Sequence, residues 1–184
     1  MKYTLYNIID SFQKHTDLEF LFFWGHTAKD EVTKACFSQW FPFDFEEEGT
    51  VYKTAEHYMM AGKARLFHDN NILEKILKAE TPNQAKSLGR KVKNFNPEVW
   101  DEHKYNIVKQ GNFLKFSQNE RFKEFLISTD DKILVEASPY DTIWGIGMLE
   151  TDPRAKDPAQ WNGENLLGFA LMEVRDELRR KHRI

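Results

Sequence analysis

From Val51 to Ala64 the chain reads as the opening of a helix that carries Glu56 and Lys63 seven positions apart among residues of little polar character. At about 100° per residue, seven steps return to within about 20° of the starting direction, about 10 Å further along the axis. Both side chains therefore stand on one face, and their length can close that gap. Tyr58, Met59, Met60, Ala61, Gly62 and Ala64 flank them, so a fold built on this helix holds two charges beside apolar packing. Charges in such surroundings are costly unless something pairs with them or uses them.

The rest of the chain can supply those surroundings. Its 184 residues are 41% hydrophobic and 14% aromatic, enough to bury a substantial core in one domain without disulfides. The single cysteine, Cys36, excludes an intramolecular disulfide and a multi-cysteine zinc site, and it reads as a buried, inert thiol. No signal-like segment opens the sequence, which sets a reducing, cytoplasmic location as the expectation. No apolar run approaches the ~20 residues needed to span a bilayer, so no membrane partner is expected. A formal net charge of −3 has the wrong sign for gripping polyanions by counterion release. A local cluster can still hold one phosphate, and Arg90-Lys91-Val92-Lys93 is the candidate; the same residues also serve as a cationic helix end complementing the dipole.

Residues 1–18 predict a short amphipathic accessory helix with Leu5, Ile8, Ile9 and Phe12 at helical spacing, followed by a polar turn at Lys14–Asp17. Residues 19–184 then form the main domain. Glu19–Trp24 reads as a buried strand bounded by Gly25. A second aromatic block, Phe37–Phe45, gives way to the acidic run Glu46–Gly49, read as a solvated turn into a short strand at Val51-Tyr52. Thr54 fits an N-cap, which places Glu56 in the first turn of its helix. Thr81-Pro82-Asn83-Gln84 is a capping box with proline at the first helical position. A helix from Asn96-Pro97 is expected to turn Val99, Trp100, Ile107, Val108 and Leu114 inward, and a shorter one carries Phe122, Phe125 and Leu126. Ile133–Ala137 predicts a strand emptying into the loop Ser138–Gly147, and Glu150–Gly163 reads as irregular chain holding Trp161. The last helix follows Asn165 and buries Leu167, Ala170, Leu171, Val174 and Leu178. No regular strand–helix alternation is present, so the expected class is α+β: a compact, mainly helical single domain with a few short strands.

Several chemistries can be set aside. The histidines show no His-Glu-x-x-His pattern or other ligand spacing, so no metal is expected. Trp144-Gly145-Ile146-Gly147 lacks the third glycine and following helix of a dinucleotide fingerprint; its glycines suit a sharp turn or close approach to a ligand. Glu56 is the strongest acid–base candidate, although an acid in a first turn is also stabilised by the helix dipole. Lys63 reads either as a snorkelling lysine or, among small neighbours that admit a ligand, as a desolvated nucleophile toward carbonyl carbon. Asp141 lies in a loop punctuated by glycine and tryptophan, a common setting for functional acids. Trp24 and Trp144 stand next to glycines at strand ends, where a flat heterocycle can stack for roughly 1 to 3 kcal/mol per base. An acid, a lysine, a second acid and a ring platform suit a nucleoside-like substrate better than a peptide or lipid.

Four blocks carry a resemblance to the NADAR family, the YbiA-like N-glycosidases: Phe22–His26, Tyr52–Ala64, Leu134–Gly147 and Trp161–Gly168. They occur in the family's order, the segments Ala85–Arg90 and Gly111–Phe116 also fit, and the blocks show no departure from the family's motifs. The likeness runs from about Phe20 to Arg175. It implies a largely helical α+β domain that hydrolyses a bond between ribose C1′ and nitrogen, in early phosphorylated riboflavin-biosynthesis intermediates or in ADP-ribosylated guanine of DNA or RNA. Glu56 and Lys63 match the family's active-site acid and lysine, and Asp141 and Trp144 match its loop residues.

On that resemblance Glu56 would stabilise positive charge on the sugar and manage a water proton, and Lys63 would attack C1′ of the opened sugar or bind a hydroxyl or phosphate. Asp141 would orient sugar hydroxyls or Lys63. Trp24 and Trp144 would flank the base, with Gly25, His26, Gly145 and Asn165 completing the substrate site, and Arg90 with Lys91 would meet the 5′ phosphate. No cofactor is implied. The rival expectation is a binding module that reads ADP-ribose or a nucleotide without cleaving it; it needs the rings and Arg90 but gives Lys63 no role.

Overall fold

Helix α2 (Ala55–Leu66) is the centre of the molecule, with α3 (Asn70–Lys78), α4 (Pro82–Gly89) and α5 (Pro97–Ser117) packed around it. The computed structural model describes residues 1–14 and 17–182; the middle of the expected turn at Lys14–Asp17 lies outside them. The remaining elements are α1 (Leu5–Lys14), α6 (Glu120–Ile127) and α7 (Leu166–His182), with strands β1 (Phe20–Phe23), β2 (Phe45–Glu47), β3 (Thr50–Tyr52) and β4 (Ile133–Glu136). Three short 3-10 turns begin at Lys34, Pro153 and Pro158. The class is α+β, dominated by helices, and no described helix is long and apolar enough to cross a membrane.

Because α2 is enclosed, Ala55 through Ala61 and Ala64 are all buried. Thr54 caps it, its hydroxyl accepting from His57 N–H at 3.3 Å. The His57 ring bridges Thr54 Oγ1 at 2.8 Å and the Ala79 carbonyl at 3.2 Å. Burial holds that imidazole below the ordinary histidine range, which keeps it neutral as a structural link between α2 and α3. Thr81 and Gln84 form the expected capping box on α4.

β1 and β4 pair in parallel, Phe20 opposite Ile133 and Phe23 opposite Glu136, so both strands end at one edge. Chain leaving that edge builds the site. β2 and β3 form a hairpin in which Phe45 pairs with Tyr52 and Glu47 with Thr50. Its turn is only Glu48-Gly49, both at positive φ, 50° and 78°, the backbone that a two-residue hairpin requires. The acidic run is thus half strand: Glu47 accepts from the Tyr58 hydroxyl at 2.9 Å, which secures it over the hairpin.

The face that α5 turns inward also differs from expectation. Its fully buried residues are Val108, Gly111, Asn112, Lys115 and Phe116, whereas Val99, Trp100, Ile107 and Leu114 are only partly covered. Two of the five are polar, and hydropathy alone points away from them. Asn112 donates to the Gln39 side-chain oxygen at 2.7 Å, and the Lys115 amine donates to the Ser38 carbonyl at 2.8 Å. Burial draws that amine down to about 8 and pushes the neighbouring Cys36 thiol up to about 12, so the thiol stays protonated.

Helix α7 buries Leu167, Ala170, Leu171, Val174 and Leu178, as its pattern predicts. It lies so close to β4 that a Cβ on Gly168 would fall 2.0 Å from the Leu134 carbonyl oxygen. The Leu134 oxygen is backbone, and the Asn165 side chain, 2.6 Å from the same Cβ, is tied to β4 by two hydrogen bonds, so neither is free to yield. Gly168→Ala is expected to cost about 3 kcal/mol or more, read as a lowered urea midpoint at unchanged slope; an unshifted midpoint would contradict this packing.

Candidate active site

A cleft of about 640 Å³ opens where the β1–β4 edge meets α2 and α4. Helix α2 contributes Glu56, Met59, Met60 and Lys63, a single face repeating every three or four residues. Helix α4 adds Lys86, Gly89 and Arg90, α5 adds Trp100, and the segment after Cys36 adds Ser38, Gln39 and Trp40. From the strand edge come Trp24, Gly25 and His26 after β1, then Glu136 and the loop Ser138–Trp144 after β4. Gly25 sits at φ +86°, a left-handed turn that lets the chain leave β1 sharply.

Glu56 is held by its backbone and its helix. Its N–H donates to the Gln39 carbonyl at 2.9 Å, and Gln39 is itself pinned by Asn112. The side chain is buried, and among the described residues Oε1 has no hydrogen-bond partner. Burial lifts its pKa from 4.5 to about 7; Lys86, then the Trp40 indole N–H and Arg90, pull it down, while Asp141 pushes it up. The cation that bears on Glu56 most is therefore Lys86 on the neighbouring helix rather than Lys63.

Lys63 lines the same cleft with its amine 4.1 Å from the Phe95 ring centre and 5.5 Å from that of Trp100. Among the described residues it joins no ion pair. Burial and then Arg90 hold it below the ordinary lysine range, which enlarges the fraction present as free amine. Asp141 turns one oxygen inward, Oδ1 accepting from Ile143 N–H at 2.9 Å and Trp144 N–H at 2.7 Å. That turn shapes the loop.

Trp24, Gly25, His26, Arg90, Asp141 and Trp144 join Glu56 and Lys63 around the cleft, whereas Lys91, Gly145 and Asn165 do not. Lys91 is exposed beyond the end of α4. Gly145 faces the strand, where a Cβ would meet the Glu136 carbonyl oxygen at 2.8 Å. Asn165 is fully buried and spends its side chain on β4, donating to the Leu134 carbonyl at 2.9 Å and accepting from Glu136 N–H at 3.0 Å. Its block is scaffold for the loop: Asn162, Glu164, Asn165, Leu166 and Leu167 donate backbone N–H groups to the carbonyls of Ile146, Thr142, Gly145, Ile143 and Trp144.

Three contributors go unread in the sequence: Lys86, Trp40 and Glu136. Lys86 lies four residues before Arg90, a spacing that puts both on one face of α4. Trp40 stands with its ring 5.6 Å from His26 and 5.7 Å from the Lys86 amine. Glu136 is a lone acid closing an otherwise apolar strand, a sequence signal in itself. Among the described residues no group of three or more His, Cys, Asp or Glu comes together to hold a metal ion.

The NADAR domain model matches residues 22–179. An N-glycosidase of Acanthamoeba polyphaga mimivirus is 45% identical over 164 residues, covering 86% of this chain and 96% of that protein. A riboflavin biosynthesis protein of Vibrio vulnificus is 31% identical over 141 residues, covering 77% of this chain and 35% of that one. The NMR structure of the Escherichia coli protein YbiA superposes with a TM-score of 0.72 at 26% identity, covering 89% of this chain and 87% of the other. With the family's model spanning most of its length and its fold shared with YbiA, the chain belongs to the NADAR family.

Proposed function

We propose that this cleft hydrolyses the bond between ribose C1′ and the nitrogen of a heterocycle, with phosphorylated riboflavin-biosynthesis intermediates as its substrates. Action on an N-glycosyl bond is supported by the names of the mimiviral and other relatives, and the substrate class by the name of the Vibrio protein. The observation that carries the reading is Glu56: a buried carboxyl with an unpartnered oxygen, set in a ring-walled cleft beside cations.

Breaking a ribosyl C–N bond builds positive charge on the sugar, and an ionised carboxylate already in place stabilises it without waiting for solvent to reorganise. Glu56 fills that role and accepts the proton of the incoming water. Lys63, enriched in free amine, attacks C1′ of the opened sugar and holds it as an imine until water releases the aldehyde. Arg90 and Lys86 meet the phosphate, Asp141 turns its second oxygen to the sugar hydroxyls, and Trp24, Trp40 and Trp144 offer faces to the base.

A module that only binds nucleotides would use the same rings and Arg90. A carboxylate kept out of water beside an anionic ligand would weaken such binding, and this favours catalysis. The test is incubation with an early phosphorylated riboflavin intermediate or with ADP-ribosylated DNA, watching for free base and sugar phosphate. Release of both from the riboflavin intermediate is expected. Release only from the DNA would move the substrate to ADP-ribosylated guanine, and unaltered binding of ADP-ribose with no cleavage of either would leave a binding module.

A further inference from the structure

One carboxyl in the cleft has no task in the chemistry above. Glu136 ends β4, and its backbone is fixed on both sides: its N–H donates to Asn165 Oδ1 at 3.0 Å, and its carbonyl accepts from Ile146 N–H at 2.9 Å. The residue as a whole keeps some exposure, but Oε2 is out of solvent and has no hydrogen-bond partner among the described residues. Its side chain lines the same cleft as Glu56, and the charges of Asp141 and Glu56 both bear on it. Acids so placed cannot all ionise at once, so one of them carries a proton.

We propose that Glu136 is a catalytic residue of this site, the acid that protonates the departing heterocycle nitrogen. The inference rests on the glycosidase reading and deepens it. When the C1′–N bond breaks, its electron pair stays on nitrogen, and a poor leaving group needs a proton there as the bond lengthens. Glu136 supplies that proton and the base leaves as the N–H species. The water that gives its oxygen to C1′, directly or after the Lys63 imine, passes a proton to Glu56, and Glu56 returns it to Glu136. One water is consumed, and both carboxyls are restored.

The titratable and charged groups lining the same cleft come from every element packed around it. Glu56 and Lys63 come from α2, Lys86 and Arg90 from α4, Asp141 from the loop and His26 from beyond β1. Burial first, then Asp141 and Glu56, raise Glu136 to about 8, with Lys86 opposing, so that the acid is loaded at neutral pH. A donor near the working pH is the efficient one.

The experiment compares Glu136→Gln with the parent protein on two substrates: the phosphorylated heterocycle riboside and 4-nitrophenyl riboside 5-phosphate, whose leaving group departs without a proton. Glu136→Gln is expected to lower kcat/KM about 10²- to 10⁴-fold on the first and less than about tenfold on the second. The parent protein is expected to lose kcat/KM above pH ~8 on the heterocycle and not on the nitrophenyl compound, a readout that needs no variant. Equal losses on both substrates, an unimpaired variant, or the same alkaline limb on both would overturn the role of Glu136. A parent protein that cleaves neither substrate would instead overturn the glycosidase reading itself.

Discussion

Glu56→Gln is expected to lose turnover about 10²- to 10⁴-fold while unfolding at a higher temperature than the parent protein at pH 9. The first effect follows from removing the carboxylate that answers the sugar's positive charge and takes the water proton. The second follows from what its burial costs. The Glu56 carboxyl binds its proton more tightly in the folded state, about 7, than the 4.5 of a solvated glutamate. Stability it contributes is fully present below pH ~4.5 and is lost as pH rises through about 7. At 1.36 kcal/mol per unit the ionised carboxylate costs about 3 kcal/mol above that range, and the neutral amide avoids the cost while still accepting from the Trp40 indole. Thermal melts at pH 5 and pH 9 check it: the variant's advantage should grow with pH. A variant destabilised equally at both values would place Glu56 in ordinary solvated surroundings, and normal turnover would remove its catalytic role.

The other large effect belongs to Lys63. Lys63→Met is expected to lose activity by at least about 10³-fold, within the range seen when a catalytic nucleophile is removed, and Lys63→Arg is expected to fare no better. Arginine keeps the charge and cannot form the imine, so the pair of variants separates nucleophile from electrostatic clamp. Borohydride added during turnover should leave a sugar phosphate on Lys63, found by mass in the peptide that carries it. Retained activity in Lys63→Arg, with no adduct on the parent protein, would reduce the residue to holding a hydroxyl or phosphate. The rings of Phe95 and Trp100 against its amine would then serve only to position that charge.

What could be read beforehand divides along physical lines. Local rules place Thr54 and Thr81 as caps and the buried face of α7, because capping and periodicity are properties of neighbouring residues. They also place Glu56 and Lys63 on one face of α2, which is why the acid and the lysine of the cleft are legible from one segment. The β2 strand is read as a charged turn because Glu46 and Glu47 are acidic, although strand pairing and the Tyr58 hydroxyl accommodate them. Helix α3, capped by Asp69 and burying Ile72 and Ile76, goes unread as a helix. On α5, Asn112 and Lys115 look like surface residues, and only the Ser38–Trp40 wall explains their burial.

The site shows the same division. Lys86, Trp40 and Glu136 meet Glu56 from three separate segments, a convergence no periodicity records. Gly145 and Asn165 lie next in sequence to the business end of the loop, yet they act behind it, allowing close backbone approach and tying α7 to β4. Adjacency in a motif suggests contact with substrate, and the structure places both residues behind the cleft wall instead. The backbone ladder between residues 141–147 and 162–167 explains why such residues stand beside the site without entering it.

The pH dependence of kcat/KM for the parent protein on its phosphorylated riboside, corrected for spontaneous hydrolysis, tests the central claim most directly. An essential carboxylate held out of water requires kcat/KM to rise with pH through an acid limb near 7, the range to which burial brings Glu56. A rate that stays level down to pH 5 would mean that the working carboxylate is solvated like any other, and would contradict the account.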